Sequence, residues 1–147
     1  MRSEERRIVT SLANNYEDVD EVMGIYKTNA MTISPSESAL FPTVCRANHS
    51  CVPNCNYVYN AAKGRQELLT TRKIRPGEEL TVSYLPDNMV GGRRERRKIL
   101  MSIHKFHCLC EICELEQGQE LKQDEYFRMI AQRRIGNEYI SCKCVCG

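Results

Sequence analysis

The chain has 147 residues, 41% hydrophobic and 27% charged, with no Trp and a mean hydropathy of -0.49, which is ordinary for a soluble globular chain of one modest domain burying roughly two-thirds of its unfolded surface. The composition excludes a membrane span, and a formal charge of +2 gives no argument for direct nucleic-acid binding. The charged opening MRSEERR is followed by no apolar core of signal-peptide length, so the nine cysteines are expected to stay reduced in the nucleus or cytoplasm, as metal ligands or buried thiols rather than disulfides.

Taken in chain order, Ile8, Leu12, Val19, Val22, Met23 and Tyr26 recur at three- and four-residue spacing and predict a helical opening. A loop with Pro35 and several serines follows. Short apolar runs then predict three or four strands: ALFPTVC, NYVYN, LLTT and ELTVSY. The separators NAAKGR and IRPGE are turn chemistry, with Gly64 available for positive φ, so at least two of the strands should form a hairpin. Past Gly91-Gly92 the pattern returns to a helix, with Ile99, Leu100 and Ile103 on one face and the arginines of GGRRERRKIL on a solvated one. From Glu114 the chain turns polar and helix-prone, with Tyr126, Phe127, Met129 and Ile130 as apolar contacts. It closes on CKCVCG, where Cys142, Cys144 and Cys146 read as an unordered end in preference to a second metal site.

The chemistry begins with FHCLCEIC. Cys108, Cys110 and Cys113 place three thiols on one short turn, and zinc asks for four tetrahedral ligands, with sulfur at about 2.3 Å. The fourth must come from Cys51, Cys55, Cys45, His107 or His104. His107 is badly directed beside Cys108, whereas the rigid loop of ANHSCVPNCNY presents a thiol in place, so Cys51 is the expected partner. Cys45 and Cys55 read as small buried hydrophobes.

Three motifs in order, NHSCVPN, GEELTVSY and CLCEIC, resemble the C-terminal half of a SET-domain lysine methyltransferase with its post-SET segment, closest to the SET and MYND subfamily. The resemblance runs from about Gly24 to Glu114, beginning with KTNAMTI. It implies an α+β, mainly β SET-type fold, partial in this chain, with a zinc-binding post-SET segment and flanking helices. Residues 1–28 would be an N-terminal helical segment, 29–88 the C-terminal half of the SET domain, 89–114 a helix and zinc segment, and 115–147 a polar helical tail.

The same resemblance implies two cofactors, S-adenosylmethionine and zinc, and a protein partner bearing a lysine, histone or otherwise. Asn29 and Asn48 would contact the methyl donor through their side chains, His49 through its backbone, and Phe106 by packing on the adenine. Cys51 matches the residue that joins Cys108, Cys110 and Cys113 on zinc. Tyr84 matches the catalytic tyrosine beside the transferring methyl; its place at the end of a period-two strand, just past a tight turn, agrees with that role. Ser83 stands where family members often carry Asp. No Gly-rich strand of the kind that opens the family's fold is recognisable, so the expectation is half a site. The rival reading is a zinc-dependent interaction module without chemistry.

Overall fold

A computed structural model describes residues 2–86 and 91–115, in two compact units. The predicted contacts of Tyr126, Phe127, Met129 and Ile130, and the closing Cys142, Cys144 and Cys146, lie outside the described residues. Among those described, six short strands outnumber four α-helices, and the strands form three two-stranded sheets, a mixed α+β architecture.

The first unit comprises residues 2–47 and 59–67. Helix α1 (Ser3–Thr10) starts where Arg2 donates both its backbone N–H and its guanidinium to the Glu5 carboxylate, and ends where Ser11 folds its hydroxyl back onto the Ile8 carbonyl. Helix α2 (Glu21–Asn29) is opened by Asp20, whose carboxylate accepts from the backbone N–H groups of Val22 and Met23. These local bonds divide the predicted helical opening in two. Ile25, absent from that periodic set, is buried in α2 together with Gly24, while Val22, Met23 and Tyr26 are exposed. Strands β1 (Met31–Ser34) and β2 (Glu37–Ala39) pair antiparallel around Pro35-Ser36, where a plain loop was expected. The predicted ALFPTVC strand is a turn followed by a 3-10 helix, Val44–Arg46: Pro42 has no N–H for a ladder, and Cys45 N–H bonds back to Phe41 instead.

The second unit holds residues 48–58, 68–86 and 91–115. It contains β3 (Asn48–His49) and β6 (Thr81–Val82), which pair in parallel. The predicted hairpin is β4 (Cys55–Asn60) with β5 (Arg65–Thr70), turning at Gly64, φ +58°. Its tip belongs to the first unit and its base to the second. Helix α3 (Arg93–His104) ends at left-handed Lys105, φ 61°, and the chain then returns through the cysteines to α4 (Glu111–Leu115). The core gathers Cys51, Val52, Leu85, Leu100, Cys108, Ile112 and Cys113, with Tyr84, Ile99, Phe106 and Cys110 packed against it. The helix face differs from expectation at two positions. Arg96 is fully buried, and Ile103 is half exposed.

Candidate functional site

The site is assembled by the parallel pairing of β3 with β6, which sets Asn48 beside Thr81 and His49 beside Val82, with Ser50 N–H donating to the Val82 carbonyl at 3.0 Å. Two strands of two residues are too short to fix a register unaided. Asn54 of the VPN turn supplies the rest. Its side-chain oxygen accepts from Thr81 N–H at 2.8 Å, and its amide nitrogen donates to the Glu79 carbonyl at 2.8 Å and the Glu78 carboxylate at 3.1 Å. Buried to 3% exposure, Asn54 thus satisfies the loop and the 78–81 segment together. Glu78 also accepts from the Arg72 guanidinium and from Arg75 N–H, and with these donors around it its carboxyl is held down to about 2.

Four rings meet beside this pairing. His49 lies 5.4 Å from Tyr84 and 6.0 Å from Phe106 between ring centroids, Tyr84 lies 4.9 Å from His104, and Phe106 meets Tyr84 edge-on at 6.3 Å. The backbone of Tyr84 is held by His49, its N–H donating to His49 Nδ1 at 3.0 Å, while the His104 ring lies against the Tyr84 ring. Burial keeps His49 neutral, pushing its pKa down to about 4, and burial lowers that of His104 too.

Behind His49 the sulfurs of Cys51, Cys108, Cys110 and Cys113 all lie within 4.8 Å of one another. A tetrahedral ion with sulfurs at about 2.3 Å places neighbouring sulfurs about 3.8 Å apart. Cys51 is 3.8 Å from Cys108 and 3.7 Å from Cys113, so the donor set and its spacing fit zinc. The thiols share protons unevenly. Hydrogen bonds within the quartet raise the pKa of Cys51 and Cys108 and lower that of Cys110 and Cys113, and a divalent cation would let all four ionise together. Donors already surround the sulfurs: Cys110 N–H reaches Cys108 Sγ at 3.4 Å, Arg96 reaches Cys113 Sγ at 3.7 Å, and His49 Nε2 lies 3.4 Å from Cys51 Sγ. Arg97 adds a bond to the Cys108 carbonyl at 2.9 Å, fastening α3 to the turn.

Of the residues singled out in the sequence, Asn48, His49, Cys51, Tyr84, Phe106, Cys108, Cys110 and Cys113 come together in the second unit. Asn29 is in the first, at the end of α2, its amide donating to the Ala13 and Ile25 carbonyls at 2.6 and 2.8 Å. Asn48 is exposed and donates to Glu79 at 2.7 Å. The other candidate ligands do not join the quartet: Cys55 is buried and Cys45 half-buried, its thiol pKa raised by burial. Sequence reasoning missed Asn54 and Arg96. For Asn54 a signal existed, since a buried Asn is favoured where a Pro-Asn turn must bond a neighbouring segment. For Arg96 there was none, as it sits among four arginines of identical local character.

Fold and site together define a SET domain. The SET domain family matches residues 2–85, more than half of the chain, and the chain belongs to that family. It is 37% identical over 105 residues to histone-lysine N-methyltransferase SMYD3 of Homo sapiens, across 67% of this chain and 23% of that protein. It is 32% identical over 123 residues to histone-lysine N-methyltransferase SMYD1 of Homo sapiens, across 72% and 24%. Identity to histone-lysine N-methyltransferase set5 of Schizosaccharomyces pombe is 30% over 115 residues, across 78% and 35%. The chain therefore lies close to the SMYD proteins and spans about a quarter to a third of the length of these relatives.

Proposed function

We propose that the chain forms part of a protein-lysine N-methyltransferase that moves a methyl group from S-adenosylmethionine to a lysine amine of a histone or another protein. The observation that carries this reading is the β3–β6 pairing, which brings the Asn48-His49 pair and Tyr84 into one aromatic corner with Phe106. Relatives named as histone-lysine and N-lysine methyltransferases support it. Half-buried Phe106 and exposed Asn48 provide the stacking and hydrogen-bonding contacts that an adenosyl donor takes, with the His49 backbone as a further contact. When bound, that donor supplies an electrophilic sulfonium methyl. The acceptor lysine must reach it neutral, against an ordinary pKa of about 10.4, which a desolvated approach favours. Tyr84, its backbone N–H held by His49, orients the amine through its phenol oxygen and keeps the approach in line.

Cys51, Cys108, Cys110 and Cys113 hold zinc in this reading, and the metal is structural, with four protein ligands and no open position. No described helix is long and apolar enough to cross a membrane, and reduced thiols fit a nuclear or cytoplasmic setting. Residues 29–88 form the SET portion, 89–114 the zinc segment, 1–28 a leading helical segment and 115–147 a polar tail.

The test is a chimera joining this chain to the N-terminal portion of the human SMYD3 relative, assayed for transfer of labelled methyl to a histone mixture. Transfer that depends on Tyr84 is the expected result. A folded, zinc-loaded chimera that transfers nothing would return the chain to a binding role.

A further inference from the structure

The geometry points to His49 as a positioning residue that links the cysteine quartet to the backbone of Tyr84, one ring nitrogen engaged at each end. The inference rests on the reading above that the quartet holds zinc; the link to the Tyr84 backbone is one of geometry and stands apart from that residue's role in methyl transfer.

One group at this link has a role that is not open to choice. A backbone N–H can only donate, and Tyr84 N–H lies 3.0 Å from His49 Nδ1, so that nitrogen carries a lone pair. A neutral imidazole with an unprotonated Nδ1 holds its proton on Nε2. Nε2 is 3.4 Å from Cys51 Sγ, within reach of an N–H···S bond, and Cys51 Sγ in turn lies 3.7 and 3.8 Å from two more sulfurs of the quartet. The tautomer is thus set at the tyrosine end and spent at the sulfur end. The ring is also confined between the rings of Tyr84 and Phe106, so it cannot swing without losing both bonds.

Two consequences follow. A donated hydrogen bond draws charge from the Cys51 thiolate and slows its protonation and release from the ion, as outer partners of metal ligands do. In the other direction, the metal fixes Cys51, Cys51 fixes the ring, and the ring fixes the peptide N–H of Tyr84, just past β6, where no ladder bond in the β3–β6 pairing reaches it. The quartet then serves the reacting end of the site as well as the fold.

Two substitutions separate the two ends. His49→Asn leaves an oxygen near the Nδ1 position and keeps an acceptor for Tyr84, but removes the donor to Cys51. His49→Gln reaches the Nε2 position with an amide N–H and keeps a donor to Cys51, but removes the acceptor. On the zinc-loaded 147-residue chain, His49→Asn should speed zinc loss to a chelator by roughly tenfold or more and leave Tyr84 amide exchange near wild type. His49→Gln should do the reverse, speeding Tyr84 amide exchange by about tenfold with little change in zinc loss. A ring with only a packing role would move both readouts together in both variants, and that result would overturn the proposal.

Should either variant fail to fold, the wild-type protein still decides. Nitrogen-15 spectra of the His49 ring must show the Nε2–H tautomer, and the Nδ1–H tautomer overturns the link. Wild-type protein that folds without zinc overturns the metal reading, and the link falls with it. Neither readout uses methyl transfer, so an inactive chimera would sink the proposed activity and leave this inference standing.

Discussion

Among the described residues, two buried apolar side chains, Leu12 and Ile25, serve the first unit, whereas the second buries nine, four of them cysteines. The first unit makes up the difference with polar ties from side chain to backbone: Asp20 on Val22 and Met23, Thr28 on Gly24, Asn29 on Ala13 and Ile25, and Tyr26 on Ser38 at 3.0 Å. Most of these are solvent-exposed, and each contributes about 1 kcal/mol or less. In the second unit the ties are buried: Asn54 is 3% exposed and Arg96 fully buried, against a core whose sulfurs sit at ligand spacing. A core this small holds a two-residue parallel pairing in place by concentrating its buried polar side chains and its proposed metal cross-link at the same spot. The proposed chemistry then falls on the better-fastened half.

The severest way to break that contrast is to remove the cross-link. Chelation, or Cys51→Ser, should cost the second unit about 4 kcal/mol or more, because the ion's binding energy is folding energy. Amides of Tyr84, Leu100 and Ile112 should lose their hydrogen-exchange protection while those of α2 keep most of theirs. Parallel loss in α2 would show that the two halves do not differ in this respect, and unchanged exchange on chelation would remove the metal from the account.

Tyr84→Phe sharpens the contrast from the chemical side. In the chimera, methyl transfer should fall about 100-fold, the usual consequence of deleting a positioned polar group from a transition state. Stability should stay within about 1 kcal/mol of wild type, and zinc should stay at about one ion per chain. Thermal midpoint and initial rate from one preparation separate the cases, since a tyrosine with only a core role would shift the midpoint and spare the rate.

Asn54→Ala against Asn29→Ala compares the polar ties of the halves directly. Loss of the 3%-exposed Asn54 side chain takes the partners from Thr81 N–H and the Glu79 carbonyl, both part-buried, so about 2 kcal/mol should be lost, whereas Asn29 should cost about 1 kcal/mol or less. Equal losses in urea unfolding would mean that burial is not what distinguishes the units.

The smallest effect is in acid. The Glu78 carboxyl is held down to about 2 in the fold, from an ordinary 4.5, chiefly by Arg72. A folded pKa below the unfolded one contributes stability that is full above about 4.5 and disappears as pH falls through about 2. The advantage of wild type over Glu78→Gln should therefore be complete at pH 6 and shrink steadily toward pH 2. Because both proteins share the quartet, acid loss of metal cancels in the difference, and an advantage independent of pH would show that Glu78 acts through shape alone.

Contiguous chemistry was legible in the residues themselves. The C-x-C-x-x-C turn, the hairpin at Gly64, the helix after Gly92 and the ordered NHSCVPN, GEELTVSY and CLCEIC motifs are all local, set by backbone geometry and periodicity within a few residues. The choice of Cys51 came within reach because a Pro-bounded loop announces a rigid thiol. The α1–α2 break was less visible, since apolar spacing alone does not report that Ser11 and Asp20 end one helix and begin the next. What only the tertiary structure decided lies between segments distant in the chain. It placed His49 beside Val82, put Asn54 on Thr81, buried Arg96 rather than its neighbouring arginines, and gathered Cys51 with thiols 57 and 62 residues away. Those outcomes depend on which side chain meets which desolvated partner, and no local pattern carries that information, because a buried arginine or a bridging imidazole has the same propensities as an exposed one.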